Sequence, residues 1–205
     1  MRRSEEFMKE VIINLALFAA LCLVFSTFTS CTGTQADNNN LTTKQGTGSK
    51  SSEFPPVASA IAEGEIHLLD GTLTKLSEHK GKVVILNLWG IWCPPCRDEM
   101  PHLAAMQRQY GEKGFEVIGL NVGDRDGRAE SVDAIKRFAA ESKIDYTLAR
   151  IESTMINQFY LVTKQSAVPQ SFLVDREGHL RGVFVGGGQR VYDQMQQAVD
   201  GIMNE

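Results

Sequence analysis

The fold is decided by the stretch Asn87-Leu-Trp-Gly-Ile-Trp-Cys-Pro-Pro-Cys-Arg-Asp-Glu-Met-Pro101. The apolar run Val83 to Trp89, which enters this stretch, predicts a buried strand. Two prolines follow the first cysteine, where they suit the first turn of a helix because a missing N–H and a fixed φ are harmless there. Apolar side chains at near-helical spacing extend this helix to Tyr110. Cys93 is therefore predicted to lie where a strand ends and a helix begins.

This position predicts the chemistry of the two cysteines. At the start of a helix, the Cys93 sulfur faces unpaired backbone N–H groups and the positive end of the helix dipole. Both stabilise a thiolate, which is the attacking species in disulfide exchange. Cys96 lies one turn later on the same face and can close a disulfide with Cys93. The spacing indicates a redox-active pair.

The cysteine pair has two other interpretations. A structural zinc site normally needs four ligands, but no second Cys-x-x-Cys pair exists, and the four histidines lack ligand spacing. They are His67, His79, His102 and His179. The pair could also be a purely structural disulfide, but the flanking strand and helix favour a reactive one. No metal ligand is predicted.

The residues around the pair carry a family resemblance. Trp92-Cys93-Pro94-Pro95-Cys96, with Trp89 before it and Pro101 after it, resembles a thioredoxin-fold active site. The flanking segments 81–89 and 97–101 resemble the membrane-anchored TlpA/ResA-type thiol–disulfide reductases of the bacterial envelope. The likeness runs from about Glu65 to the C-terminus. It implies an α/β, thioredoxin-like fold with a central mixed sheet flanked by helices and an N-terminal β-hairpin extension.

The resemblance also implies an activity. It indicates an enzyme, a thiol–disulfide oxidoreductase that reduces disulfides of exported proteins, of the cytochrome c maturation type. Its partners would be protein disulfides or thiols and an upstream thiol reductant in the membrane. No cofactor is expected beyond the redox-active disulfide Cys93–Cys96.

A second loop completes the implied substrate site. Val168-Pro169 resembles the cis-proline loop of the thioredoxin fold, which leads into a strand. A cis bond would leave the Val168 backbone facing the Cys93 sulfur, ready to pair with an extended substrate segment. The residues expected to bind substrate are Trp92, Pro94, Pro95, Val168 and Pro169.

Glu99 is a candidate proton acceptor. Thioredoxin has a buried aspartate six residues before its first cysteine, but this chain has Asn87 there. On the predicted helix, Glu99 is the i+3 neighbour of Cys96 and shares its face. TlpA/ResA-type proteins have a functional glutamate at the matching position. The alternative is an ordinary solvated helix glutamate.

The remaining elements follow from local patterns. Segments 65–69 and 72–74, joined by Asp70-Gly71, predict a hairpin. Further strands are expected over 115–122, from Val168 to Asp175, and over 179–185 as an antiparallel edge pair. Helices are expected over 131–143, 156–160 and from Gly188 to Met203. The strand–helix–strand order predicts parallel pairing of the first two long strands.

The N-terminal part predicts export. Residues 1–30 have basic side chains before an apolar stretch, Val11 to Phe28, as in a signal peptide of the lipoprotein type. Phe28-Thr29-Ser30-Cys31 resembles a lipobox, which implies cleavage before Cys31 and lipidation of that cysteine. An uncleaved membrane helix and simple secretion are the alternatives. Residues 31–56 would form a flexible linker with few apolar side chains, and 57–205 the folded domain.

Cysteine count and charge narrow the function classes. Cys22 and Cys31 lie in or at the end of the signal, so only Cys93 and Cys96 remain in the folded domain, too few for a disulfide-stapled scaffold. The formal net charge of −4 argues against nucleic acid as a partner. The predicted location is the periplasm-facing side of the bacterial envelope, with the membrane reached through the anchor.

Two alternative functions use the same fold. A peroxiredoxin-like peroxidase needs Pro-x-x-x-Thr/Ser-x-x-Cys, but Gly90 stands three residues before Cys93 and Leu86 seven before it. A copper- or thiol-binding module without turnover would need Cys-x-x-x-Cys and a histidine near the cis-proline, and no histidine lies between His102 and His179.

Overall fold

The computed structural model describes residues 54–205. The predicted export signal, the Cys31 anchor and most of the linker lie outside the described residues. Among residues 54–205, no helix is both long and apolar enough to cross a membrane.

Seven strands and five α-helices make up the described chain. The strands are β1 (Ile66–Leu68), β2 (Leu73–Thr74), β3 (Val83–Trp89), β4 (Phe115–Asn121), β5 (Thr147–Ile151), β6 (Gln170–Val174) and β7 (Leu180–Val185). The helices are α1 (Ser59–Ala62), α2 (Pro94–Tyr110), α3 (Val132–Glu141), α4 (Ser153–Thr163) and α5 (Gln189–Met203). Short 3₁₀ turns cover Leu76–His79 and Gly111–Lys113.

The strands form one mixed sheet in the order β2-β1-β5-β4-β3-β6-β7. β3 pairs in parallel with β4, and β4 pairs in parallel with β5. The other four pairs are antiparallel: β1 with β2, β1 with β5, β3 with β6, and β6 with β7. The predicted parallel pairing of the first two long strands and the predicted antiparallel edge pair are therefore confirmed. The fold is thioredoxin-like, with a mixed sheet between two layers of helices.

The sheet separates two apolar cores. Helices α2, α3 and α5 cover one face, and α1 and α4 cover the other. All seven residues of β3 are buried because this strand is central and covered on both sides. A continuous apolar run in the sequence is the expected pattern for such a strand. β3 thus forms a buried base from which the chain leads into α2.

Local signals located most element ends correctly. β3 and α2 have the predicted limits, and the Ser131 hydroxyl caps α3 by accepting the Ala134 N–H at 3.2 Å. The region from Tyr146 to Val168 was poorly predicted: β5 was missed, and α4 is longer than the helix expected over 156–160. The short β5 carries Arg150 near its end, which interrupts an apolar pattern.

The N-terminal extension joins the far edge of the sheet. The hairpin β1–β2 adds to β5 through antiparallel pairing of β1. Asp70 shapes its turn, because its carboxylate accepts the Thr72 N–H and hydroxyl. The chain is already paired before Val57, since Pro55 O accepts the Leu180 N–H at 2.9 Å.

Candidate active site

The two cysteines lie at the junction predicted for them. β3 ends at Trp89, and Cys93 caps the N-terminus of α2, with its sulfur accepting the Cys96 N–H at 3.2 Å. The two sulfurs form a disulfide with a 5.3 Å separation between the Cα atoms. Cys93 is 2% exposed and Cys96 is 0% exposed. The first cysteine is thus the one nearer to solvent and to the free helix N–H groups.

The predicted cis-proline loop lies against this disulfide. The Val168–Pro169 peptide bond is cis, and the Val168 carbonyl oxygen lies 3.6 Å from Cys93 Sγ. Val168 is half-buried, and Pro94 and Pro95 are exposed on the helix start beside it. The loop therefore presents backbone next to the first cysteine, at a surface that a second chain can reach.

Trp92 links the disulfide to the loop that follows β4. Its indole N–H donates to the Gly123 carbonyl at 2.8 Å, and the ring is half-buried. The Arg125 guanidinium lies 5.8 Å from the ring centroid. The residue before Cys93 is thus held against the loop that follows β4.

Glu99 is buried, with only 1% exposure, so the alternative of a solvated helix glutamate is wrong. Asn87 on β3 donates to its Oε2 at 2.8 Å, and the Ser171 hydroxyl on β6 donates to its Oε1 at 3.3 Å. The same Asn87 amide nitrogen also donates to Ser171 Oγ at 2.9 Å. Side chains from β3 and β6 therefore hold the carboxyl group that α2 carries.

The surroundings of Glu99 favour its protonated form. Burial raises the pKa of Glu99 to about 7, and the hydrogen bonds from Asn87 and Ser171 only partly oppose this. Both of those partners are neutral. Burial raises the pKa of Tyr146 as well, and the nearby Glu99 charge adds to this effect. A carboxyl with a pKa near 7 can take up and release a proton at neutral pH.

Sequence reasoning missed Ser171. The sequence held one clue to it: Ser171 is a single hydroxyl in the otherwise largely apolar strand Gln170–Val174. It lies two residues after Pro169, and residues two apart in a strand point to the same face of the sheet. Cys31, predicted as the lipidation site, lies outside the described residues. The fold brings the other predicted site residues to this end of the sheet: Trp92, Cys93, Pro94, Pro95, Cys96, Glu99, Val168 and Pro169.

Comparison with known proteins agrees with this geometry. Residues 57–183 match the model of the AhpC/TSA family. The chain is 33% identical over 137 residues to a thiol-disulfide oxidoreductase ResA of Bacillus cereus, covering 67% of this chain and 70% of the relative. Against ResA of Bacillus subtilis, the identity is 32% over 117 residues, covering 57% of this chain and 60% of the relative.

A solved structure extends the match to three dimensions. The crystal structure of a candidate thiol:disulfide interchange protein DsbE from Chlorobium tepidum superposes with a TM-score of 0.59 at 27% identity. The superposition covers 74% of this chain and 98% of that protein.

Proposed function

The chain belongs to the AhpC/TSA family and is a thiol–disulfide oxidoreductase, and from that premise we propose that it reduces disulfides in exported proteins, of the cytochrome c maturation type. The observation that carries the proposal is the Cys93–Cys96 disulfide at a strand–helix junction, with the Val168 backbone 3.6 Å from the first sulfur. The likeness to ResA and to the DsbE candidate supports the same chemistry. The cysteine pair itself carries the two electrons, so the reaction needs no other cofactor.

Cys93 is the proposed nucleophile. The Cys96 N–H points at its sulfur, and the start of α2 stabilises a negative charge there. In the reduced protein the Cys93 thiolate attacks one sulfur of a substrate disulfide. A bond forms between Cys93 and that sulfur, the substrate S–S bond breaks, and the leaving thiolate takes up a proton.

Cys96 is the proposed resolving residue. It loses its thiol proton to Glu99 and attacks the Cys93 sulfur, which forms the internal disulfide and releases the second substrate sulfur as a thiolate. This thiolate is protonated as it leaves. The net change is one substrate disulfide and two protein thiols converted into two substrate thiols and one protein disulfide. A thiol reductant on the membrane side would then restore the pair.

The substrate would be an extended segment that pairs with the Val168 backbone. Its apolar contacts would come from Trp92, Pro94, Pro95 and Pro169. For this reason a protein disulfide fits the site better than a small-molecule one.

A substrate trap tests this function. Cys96→Ser should accumulate mixed disulfides through Cys93, and Cys93→Ser should not, because only the first cysteine is placed to attack. Mass spectrometry of the trapped adducts would identify the substrates. Equal trapping by both variants would contradict the division of labour, and consumption of peroxide with no trapped protein would favour the peroxidase alternative.

We also propose that the protein is exported to the periplasm-facing side of a bacterial envelope and anchored by a lipid on Cys31. The support is the sequence pattern of residues 1–31 alone. Intact-mass measurement of membrane-extracted protein should show a diacylglyceryl adduct on Cys31. A mature chain that retains residues 1–30 would exclude this anchor.

A further inference from the structure

We propose that Ser171 is a positioning residue for Glu99: its single hydroxyl holds the carboxyl group in one orientation in both of its protonation states. The catalytic meaning of this inference rests on the proposed function, in which Glu99 accepts the Cys96 proton. The hydrogen bonds among Asn87, Glu99 and Ser171 can be tested without measuring enzyme turnover.

The first argument is that the three polar groups form a closed ring. Asn87 Nδ2 donates to Glu99 Oε2 at 2.8 Å and to Ser171 Oγ at 2.9 Å, and Ser171 Oγ lies 3.3 Å from Glu99 Oε1. All three side chains are 1% exposed or less. Each carboxyl oxygen thus faces a different protein partner, and burial leaves the ring little contact with bulk solvent.

The second argument counts hydrogens. An amide nitrogen can only donate, so both Asn87 Nδ2 hydrogens are used, one on Glu99 and one on Ser171. A serine hydroxyl has one hydrogen and two acceptor positions. Ser171 therefore accepts from Asn87 and still has its own hydrogen to donate to a charged Glu99. Ser171 satisfies the oxygen that Asn87 does not reach.

The third argument concerns the protonated acid. Glu99 Oε2 faces the Asn87 donor, whereas Oε1 faces a hydroxyl that can also accept, so Oε1 is the favoured position for a proton added to the carboxyl. The serine hydroxyl then rotates its own hydrogen away and accepts the carboxyl proton with its second lone pair. Because a hydroxyl can reverse its role, Glu99 keeps the same position before and after it takes up a proton. Alanine at 171 could serve neither state.

Other groups that face Glu99 do not supply this contact. Tyr146, which precedes β5, feels the Glu99 charge, but its buried hydroxyl has no hydrogen-bond partner among the described residues. Cys93 and Cys96 lie at the start of the helix that carries Glu99 and do not titrate while they form the disulfide. Asn87 and Ser171 are the groups that hydrogen-bond to the carboxyl.

The test is a titration of Glu99 in the full-length protein with the disulfide closed. ¹³C-carboxyl labelling of glutamate follows each side chain, and the signal lost in Glu99→Gln identifies Glu99. The wild-type midpoint is expected near pH 7. In Ser171→Ala it should rise by about one pH unit, because the charged form loses a charge-assisted hydrogen bond. Ser171→Thr, which keeps the hydroxyl, should restore the midpoint.

A matched control separates positioning from ordinary stability. Ser131→Ala removes a hydroxyl that caps α3 and should lower the melting temperature. It should leave the Glu99 midpoint unchanged. Ser171→Ala, in contrast, should move the midpoint whatever its effect on melting.

A measurement on the unmodified side chains covers the case in which a variant does not fold. In the wild type, the ¹³Cβ shift of Ser171 should change with pH at the same midpoint as the Glu99 carboxyl. A Ser171 signal that stays flat through that titration would overturn the proposal, as would an unmoved midpoint in a folded Ser171→Ala. Because the disulfide stays closed, these outcomes are independent of the substrate trap, whose failure would instead overturn the proposed function.

Discussion

Two shielded glutamates, Glu99 on α2 and Glu116 on β4, have opposite acid–base behaviour. Glu99, on α2, has only neutral hydrogen-bond partners, and burial raises its pKa to about 7. Glu116, at the start of β4, receives hydrogen bonds from His79 Nδ1 at 2.8 Å and Lys82 Nζ at 2.9 Å. The bond from His79 contributes most, and together with Lys82 it lowers the pKa of Glu116 to about 2 despite partial burial.

The difference shows how partner choice decides the role of a carboxyl group. Burial alone disfavours the charged form, and neutral donors offset only part of that cost. Around Glu116 the hydrogen bonds from His79 and Lys82 outweigh burial, so Glu116 stays charged and ties the 3₁₀ turn Leu76–His79 to β4. Glu116 is suited to structure, and Glu99, which changes charge near neutrality, is suited to proton transfer.

The largest expected effect is on the pH dependence of stability through Glu99. The folded protein keeps the Glu99 proton up to about pH 7, whereas the unfolded chain loses it near pH 4.5. The folded state binds more protons between these values, so stability must fall as pH rises through that window. At about 1.4 kcal/mol per pKa unit, the loss is on the order of 3 kcal/mol.

Glu99→Gln should remove this loss, because glutamine resembles the protonated acid and cannot ionise. Denaturant unfolding of oxidised wild type and variant at about pH 4.5, 6 and 8, which lie at the lower edge of the window, inside it and above it, measures the loss. The variant should be the more stable protein at the highest pH and nearly equal at the lowest. Parallel pH profiles for the two proteins would remove Glu99 as the cause.

The opposite pH dependence is expected for Glu116. Its folded pKa lies below its ordinary value, so its contribution to stability is present above pH 4.5 and is lost as pH falls towards 2. Glu116→Gln should lower the free energy of unfolding at neutral pH by about 1–2 kcal/mol, an amount reduced for solvent screening at the half-exposed Lys82. The deficit should shrink in acid unfolding curves below about pH 4. A constant deficit at every pH would show that packing, not charge, is lost.

The smallest expected effect is on the pKa of the Cys96 thiol. It separates the two glutamates most directly, because only Glu99 shares a helix with that cysteine. A charged Glu99 disfavours a second negative charge on Cys96, so Glu99→Gln should lower the pKa of that thiol by up to about one pH unit. The same variant should slow resolution, because the proton acceptor is gone. Alkylation rates of the reduced protein across pH measure the thiol, and turnover measures resolution. Glu116→Gln is the matched control and should leave both unchanged.

The outcome for particular residues shows which features local sequence encodes. Val83–Trp89 and Pro94–Tyr110 have the predicted ends because a buried apolar run, two prolines and a helical apolar spacing are all local signals. The cis bond at Pro169 was inferred from family resemblance and is confirmed. β5 was missed because its short run holds an arginine, and neighbouring strands on both sides stabilise it.

By itself, then, the sequence determined the strand–helix junction, the cysteine spacing and the position of Glu99 on the helix face that carries Cys96. The tertiary structure alone decided that Glu99 is buried and which groups hold it. Asn87 and Ser171 lie 12 and 72 residues from Glu99 along the chain, and only the pairing of β3 with β6 brings them together. Periodicity reports which face a side chain takes, but the pKa of a buried carboxyl depends on partners that distant strands supply.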